Sequence, residues 1–450
     1  MRITSRKEHL VLFMGDVICF ALALYLTLLV RYGAIPTDEV LETHLVPFGI
    51  LFFIWSGVYF VAGLYEKHTV LLKSRLPSIL LNVQIINSLI AVLFFYLIPI
   101  FDIAPKRNLF IHLFFSFILV LIWRLYGLHL IGTSHKERAL LMGTGEEMKE
   151  LRDEVNNNNR YDLEFVSTVD VEELDGMDIK EEIINRVYSE GITSIVVDLQ
   201  NNKINTVLPQ LYNLIFSKVR FIDIHKVYED IFDRIPLSLV HHNWFLENIS
   251  ASSRFTYDTL KRMMDIIVSS ILLVLSLPFY VIVWVAIRLD DGGPLFITQE
   301  RIGRNNSLCK IWKFRSMSGN DQGNYSEGGV TSLTITRVGG IIRRYRIDEL
   351  PQLWNVLQGD ISLIGPRPEL PTLVKQYEKE VPYYNVRHLI KPGLSGWAQI
   401  YGEHAHHGTD VTKTRNKLSY DLYYIKNRSF MLDVKIALRT LKILLSQSGL

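Results

Sequence analysis

The sequence predicts a membrane protein in three parts: four membrane-crossing helices over 1–135, a parallel-sheet α/β domain over 136–250, and an α-rich domain over 251–450 with one further membrane-embedded helix at about 263–287. Three observations predict this. The chain of 450 residues is 49% hydrophobic, too apolar for an ordinary soluble protein of roughly three domains. Apolar runs at about 10–31, 45–65, 78–101 and 109–132 each approach the ~20 residues that a bilayer core demands. Beyond residue 136 the pattern changes to short β-branched runs alternating with helical stretches.

The four spans form a transmembrane helical bundle. Arg2, Arg6 and Lys7 before the first, Lys67, Lys73 and Arg75 between the second and third, and Lys136 and Arg138 after the fourth put both ends of the bundle in the cytoplasm. Lys106 and Arg107 argue weakly the other way. No small-residue cleavage site follows the first apolar run, which predicts an anchor and not a removed signal peptide. Asp16 lies inside the first span, where an ionisable group needs a partner; a structural contact near the membrane interface is expected. Net charge is only +2, which excludes a polyanion-binding surface and makes nucleic acid no partner. Cys19 and Cys309 are far apart and offer neither a disulfide nor metal-ligand spacing.

The α/β domain shows strands at 139–142, 164–167, 195–198 and 220–223 and reads as Rossmann-like. Its first strand runs into Gly143-Thr144-Gly145-Glu146-Glu147-Met148, which has two glycines of a dinucleotide fingerprint but methionine where the third small residue belongs. Two glutamates at that helix start would also repel a pyrophosphate. A tight strand-to-helix turn is the expected role. The tract Asn156-Asn157-Asn158-Asn159 reads as a helix end or surface loop.

The apolar stretch 263–287 could span a membrane, yet Pro278 removes a backbone hydrogen bond near its middle. Cations flank both ends: Lys261 and Arg262 before, Arg288, Arg301, Arg304, Lys310, Lys313 and Arg315 after. Positive-inside bias therefore predicts a re-entrant helix that enters, turns at Pro278 and returns to the cytoplasmic side.

The chemistry concentrates in Arg343-Arg344-Tyr345-Arg346-Ile347-Asp348-Glu349-Leu350-Pro351-Gln352 and the following Gly365-Pro366-Arg367-Pro368. Adjacent carboxylates between arginine-bearing segments suit phosphate groups, because guanidinium forks match phosphate oxygens and offset the repulsion of a carboxylate from a diphosphate. An ionised aspartate is a competent nucleophile toward phosphorus. Neighbouring residues on a helix point about 100° apart, so Asp348 and Glu349 divide the work. Taken alone, Asp-Glu-Leu-Pro is an ordinary helix start. His404, His406 and His407 crowd one stretch and read as a polar loop. The stretch from Ser419 to Leu445 interleaves lysine and arginine with apolar residues, as an interfacial helix on anionic headgroups would.

An ordered set of motifs carries a resemblance over about 255–450: Lys261-Arg262-Met263-Met264-Asp265, Gln299-Glu300-Arg301-Ile302-Gly303, Lys313-Phe314-Arg315-Ser316-Met317, Asp348-Glu349-Leu350-Pro351-Gln352, Gly365-Pro366-Arg367-Pro368, Lys391-Pro392-Gly393-Leu394-Ser395-Gly396-Trp397-Ala398-Gln399 and Tyr420-Asp421-Leu422-Tyr423-Tyr424. The chain resembles the bacterial sugar transferases, the monotopic polyprenyl-phosphate hexose-1-phosphate transferases that begin exopolysaccharide, capsule or O-antigen assembly. With its four spans and degenerate Rossmann-like domain it is similar to the family's large form. Two positions depart from the family's pattern: Leu277 separates Ser276 from Pro278, and Arg346 stands where many members have a small polar residue.

The resemblance implies a catalytic third domain that moves hexose-1-phosphate from a UDP-sugar to undecaprenyl phosphate, releasing UMP, through a covalent aspartyl phosphosugar intermediate. It makes Asp348 the nucleophile and Glu349 the carboxylate beside Mg²⁺. Arg367 becomes the phosphate-binding arginine, with Lys313, Arg315 and Arg343 on substrate phosphate and Asp421 as a second metal-side carboxylate. It also implies membrane lipid as a partner, a homodimer, and the bacterial inner membrane with the catalytic domain facing the cytoplasm. Two other readings stay open at this point: a nucleotide-sugar oxidoreductase using the Gly143 loop, and a non-catalytic membrane sensor.

Overall fold

The computed structural model describes residues 6–62, 64–65, 76–98, 105–127, 136–158, 161, 163–174, 179–199, 201, 203–204, 209, 211–217, 219–249, 255–318, 333–402 and 410–446. Helices α1 (Arg6–Tyr32), α2 (Asp38–Val61), α3 (Leu76–Leu97) and α4 (Pro105–Tyr126) are the apolar N-terminal elements, and each is long and apolar enough to cross a membrane. Phe20, Phe48, Leu51, Trp55 and Val120 pack into their shared core. Asp16 of α1 is buried against Arg124 in the last turn of α4, and Arg124 also donates to the Leu64 carbonyl at 2.5 Å. That pair locks α1 to α4 and gives Asp16 the structural contact its position demands. Lys67, Lys73 and Arg75 lie outside the described residues, as do the backbone of Asn159 and His404, His406 and His407.

Strands β1 (Glu137–Gly143), β2 (Leu163–Asp170), β3 (Ser194–Val197) and β4 (Arg220–Asp223) form one parallel sheet in the order β2-β1-β3-β4. Helices α5 (Gly145–Asn157), α6 (Ile179–Ser189) and α7 (Ile224–Phe232) accompany it. Runs such as Leu140-Leu141-Met142 and Ile195-Val196-Val197 are fully buried because apolar cores form on both faces. Gly145 has φ +86, the left-handed conformation that the strand-to-helix turn requires. Glu147 accepts from the amide and hydroxyl of Ser238, and Met148, in the place of a third glycine, is buried in the core.

The stretch after Asp233 packs on both domains: Leu239 joins the core of the sheet, and its neighbours reach the third domain. Ile235, Val240 and Trp244, the last in α8 (His242–Asn248), share a core with Val374, Tyr377, Tyr384, Leu418 and Leu422 of the third domain. Asp233 itself has φ 53, and its carbonyl accepts from Trp397 Nε1 at 2.8 Å while its carboxylate accepts from Tyr423 at 3.0 Å.

Helix α9 (Phe255–Asp290) carries Pro278 but is not broken there: it continues as one element across the proline. Ser276 is buried and donates to the Leu273 carbonyl at 2.8 Å, within the turn the proline disturbs. The intervening Leu277 therefore does not prevent the hydroxyl from serving that turn. Mid-helix side chains such as Ile271, Val274, Leu275 and Ile282 are more than half exposed. Both ends, by contrast, are held by one stretch of the third domain. Near the start, Arg262 donates to the carbonyls of Val356 and Leu357, both at 2.7 Å, and Asp265 accepts from Ser362 and from the Leu363 amide. Near the end, Val283 and Ile287 pack on Phe314 and Ile342, and Asp290 accepts from the Val338 amide at 3.0 Å.

The third domain continues with the antiparallel pair β5 (Phe296–Ile302) and β6 (Leu308–Phe314), helix α10 (Arg337–Arg344), a 3₁₀ turn at Ile347–Glu349, and α11 (Gln352–Gln358). The short strands β7 (Ser362–Ile364) and β8 (Gly393–Ser395) pair in parallel around the helix α12 (Pro371–Glu380) and the 3₁₀ helix Tyr384–Leu389. After α13 (Trp397–Tyr401), helices α14 (Val411–Asn427) and α15 (Phe430–Ser446) close the domain. The cations of α15 have partners within the protein: Lys435 lies over Trp397, Arg439 over Tyr401, and Lys442 donates to the Ala62 carbonyl just past α2 at 3.0 Å. Its basic face thus bonds the membrane helices to the third domain, where the sequence suggested lipid headgroups.

Candidate active site

Four backbone segments converge on the paired carboxylates. β5 brings Arg301, β6 brings Lys313, the 3₁₀ turn carries Asp348 and Glu349, and the loop after β7 carries Arg367. Asn355 of α11 sets the spacing between the first pair of elements. Its side chain accepts from the Trp312 amide at 2.9 Å and donates to the Lys310 carbonyl at 2.8 Å, so α11 attaches to the edge of β6 as a strand would. The loop with Arg367 is placed from its other side by glycines. A Cβ on Gly393 would sit 2.1 Å from the Gly365 amide nitrogen, and one on Gly396 would sit 2.3 Å from the Gly365 carbonyl oxygen. Only glycine at these positions lets β7 and β8 approach this closely.

The two adjacent carboxylates have opposite environments. Glu349 receives Arg367 Nη2 at 2.8 Å and Lys313 Nζ at 3.7 Å, both on Oε1. Burial by itself would raise its pKa, but Arg367 first and Lys313 second bring it down to about 2. Asp348 is 8% exposed and takes part in no ion pair among the described residues. Burial, reinforced by the charge of Glu349, raises its pKa above the ordinary aspartate value, while Lys313 and Arg343 pull it back. It does not cap α11, since Pro351 occupies the cap position. Burial also lowers the Lys313 ammonium to about 8 despite Glu349 beside it. Arg346, in a left-handed conformation with φ 54, adds its charge to the field on Glu349. It is only half-buried, so it contributes to the cationic surround without pairing to either carboxylate.

Of the residues expected here, Asp348, Glu349, Arg367, Lys313 and Arg343 come together. Arg343 acts on Asp348 through its charge and has its Nη1 3.2 Å from Met317 Sδ. Arg315 does not join them. Its guanidinium forks onto Asp291, at 2.8 and 2.5 Å, and lies so close to Gly293 that a Cβ there would overlap it. Arg315 fastens the turn after α9. Asp421 is also elsewhere: it is 1% exposed and paired with Arg387 at 2.8 Å, in a separate buried cluster with Glu369 and Lys417. Its carboxylate faces an internal guanidinium and lies apart from Glu349 and Asp348.

Among the described residues no group of three histidine, cysteine or acidic side chains could hold a metal ion. The pair Asp348 and Glu349 nevertheless suits Mg²⁺, which is commonly bound by one or two carboxylates together with substrate phosphates. Both contacts of Glu349 fall on Oε1, and among the described residues Oε2 receives no hydrogen bond.

Comparison with known proteins gives the family. The Bacterial sugar transferase family model matches residues 256–447, and the chain is 39% identical over 187 residues to the exopolysaccharide production protein PSS of Rhizobium leguminosarum bv. phaseoli, covering 40% of this chain and 92% of that one. The chain belongs to the bacterial sugar transferase family. It is also 40% identical over 229 residues to a UDP-N-acetylgalactosamine-undecaprenyl-phosphate N-acetylgalactosaminephosphotransferase of Aeromonas hydrophila, across 50% of this chain and 52% of the relative. An undecaprenyl-phosphate glucose phosphotransferase of Komagataeibacter xylinus is 30% identical over 344 residues, across 71% of this chain and 62% of its own. The matched region thus spans about half to three-fifths of these two larger relatives. In a bacterial sugar transferase of this geometry, the motif residues sort into those that face Asp348 and those, such as Lys261, Arg262 and Asp265, that dock α9 on the domain.

The reassignment of Asp421 has a measurable consequence. Asp421→Asn leaves the Arg387 charge buried with a weakened partner, and melting should report a loss of about 3–5 kcal/mol. The loss should be the same with and without Mg²⁺; a Mg²⁺-dependent difference would return Asp421 to the metal.

Proposed function

We propose that this protein transfers hexose-1-phosphate from a UDP-sugar to undecaprenyl phosphate and releases UMP, as the first membrane step of exopolysaccharide, capsule or O-antigen synthesis. The observation that carries this is the division of the carboxylate pair. Glu349 is bound by Arg367 and Lys313, whereas Asp348 is unpaired and surrounded by positive charge. The names of the relatives supply the substrate class: undecaprenyl phosphate in both larger ones and a UDP-sugar in the Aeromonas protein.

In the first step an Asp348 carboxylate oxygen attacks the sugar-bearing phosphorus, the bond from that phosphorus to the UMP oxygen breaks, and UMP leaves with its electron pair. In the second an oxygen of undecaprenyl phosphate attacks the same phosphorus, giving the diphosphate-linked sugar and freeing Asp348. Arg367, Lys313 and Arg343 offset the repulsion between the carboxylates and the diphosphate, which at intermediate dielectric is on the order of several kcal/mol per pair. Held by Glu349 with Asp348 beside it, Mg²⁺ would neutralise phosphate charge. Asp348 pays a desolvation cost in this site that makes its ionised form more reactive toward phosphorus.

The helix α9 is re-entrant in this proposal, which keeps Asp348 on the cytoplasmic face of the inner membrane. Its support is the anchorage of Arg262 and Asp265 at one end, and of Ile287 and Asp290 at the other, to residues between 314 and 363. A helix crossing to the far side would have to give up one of these sets. A homodimer in membrane lipid completes the proposal.

Three outcomes test it. Purified protein should convert a UDP-sugar to UMP and place label in lipid when given undecaprenyl phosphate and Mg²⁺, and Asp348→Asn should lose both turnover and covalent labelling by several orders of magnitude. Near-normal turnover in that variant removes Asp348 as nucleophile.

The pH profile should be a bell. Activity should rise as Asp348 ionises, at a pH above the ordinary aspartate range, and fall near pH 8 as Lys313 loses its proton. Lys313→Arg stays charged and should lose the alkaline limb, even at reduced turnover; an unmoved limb would assign it to another group.

Topology is tested at Pro278. Its replacement by Leu restores the backbone hydrogen bond that proline removes, and ~25 helical residues are enough for a ~30 Å bilayer core. A cysteine added after Leu450 should be shielded from an impermeant thiol reagent in intact cells of the parent and partly labelled in Pro278→Leu. Labelling of the parent from outside would rule out a re-entrant α9.

A further inference from the structure

The geometry points to Arg387 as a positioning residue that holds the phosphate-binding arginine, Arg367, in register with Glu349 and Asp348. Arg387 lies in the 3₁₀ helix Tyr384–Leu389 and is 2% exposed, so it cannot itself reach a substrate. Both terminal nitrogens of its guanidinium are engaged on the inside of the domain. Nη2 donates to the Arg367 backbone carbonyl at 3.0 Å and pairs with Asp421 at 2.8 Å, while Nη1 donates to the Tyr384 hydroxyl at 2.5 Å and lies 3.8 Å from Glu369 Oε1.

The contact to Arg367 decides the role. Residue 367 lies between Pro366 and Pro368, neither of which has an amide N–H, so its loop has few backbone donors to anchor it. The Gly393 amide fixes the Pro366 carbonyl at 2.9 Å from one side, and Arg387 fixes the Arg367 carbonyl from the other. The Arg367 side chain then leaves this clamped backbone toward Glu349 at 2.8 Å. Glu369, two residues on, is bound by Lys417, and its backbone carbonyl accepts from the Ile302 amide at 2.9 Å. One buried arginine thus joins α14, through Asp421, to the loop on which Arg367 rides. Asp421 and Glu369 offset the cost of burying this charge.

A guanidinium is needed because three acceptors lie in different directions around one plane. Lysine would keep the charge but could not span the Tyr384 hydroxyl, Asp421 and the Arg367 carbonyl together.

The role rests on the phosphotransfer proposal, and the test separates the two. In full-length protein in detergent, Arg387→Lys is expected to lower kcat/KM for UDP-sugar turnover by about tenfold or more and to weaken UDP binding in parallel, with a melting curve that is still cooperative. The deciding measurement is the double-mutant cycle with Arg367→Lys. If Arg387 acts by placing Arg367, adding Arg387→Lys to Arg367→Lys should cost less than about threefold more. Tyr384→Phe removes one prong without burying a bare charge; it should give a smaller loss of the same kind and keeps the test open should Arg387→Lys not fold. Losses that multiply independently in the cycle, with UDP binding unchanged, would overturn the positioning role alone. A parent protein that neither binds UDP nor turns over any UDP-sugar would sink the phosphotransfer proposal and the role of Arg387 with it.

Discussion

The contact of Gly365 with Gly393 and Gly396 is the constraint on which the site depends. The two strands it brings together, β7 and β8, are three residues each, too short to hold by ladder bonds alone. Their backbones touch where side chains would normally separate them, and the loop between Pro366 and Pro368 is thereby directed at the 3₁₀ turn carrying Asp348 and Glu349. Without that approach Arg367 would have no fixed origin. Glu349 would then face Lys313 alone, and the inequality between the two carboxylates would shrink, because Arg367 is the largest favourable charge acting on Glu349.

That inequality gives adjacent residues different chemical capacities. A pair of carboxylates sharing cations equally would titrate together and offer no free nucleophile. Here Glu349 takes the close contacts, and Asp348 is left buried, unpaired and surrounded by more distant cations. Arg343 and Lys313 stay near enough to favour its ionised form. The same arrangement that costs Asp348 its solvation leaves it free to meet phosphorus.

Much of this was readable in the residues and some was not. Alternating apolar runs placed all four strands of the parallel sheet within a few residues, since burial on both faces writes a continuous apolar signal. The pairing of Asp348, Glu349, Lys313 and Arg367 followed from motif order. The contacts of Arg315 and Asp421 away from the carboxylate pair were not legible for one reason: charge type and motif membership say that a residue matters, not which way its side chain turns. Asp291 lies in a turn whose glycines allow the Arg315 fork, and Arg387 is a single arginine in a mixed aromatic and aliphatic run with no periodicity to mark it. The partner of each is more than twenty residues away, beyond the reach of local pattern. The shared core of Trp244 and Ile235 with the third domain was not legible either, because neither residue carries a local sign of which core it enters.

The α/β domain makes sense as a brace more than as a cofactor site. Its glycine turn is closed by Glu147 on Ser238, and Glu150 is engaged by Arg234 and Tyr228. Its opposite end is bonded to the third domain: Asp233 accepts from Trp397 and Tyr423, and Glu229 pairs with Lys426 at 2.7 Å. Trp397 belongs to the same motif as Gly393 and Gly396, and Lys426 lies on α14, the helix that presents Asp421 and Lys417 to Arg387 and Glu369. Each contact therefore falls on an element that fixes the Arg367 loop. Polar bonds at a domain boundary contribute modestly one by one, but three on two rigid elements restrain the rocking that a short loop cannot resist alone.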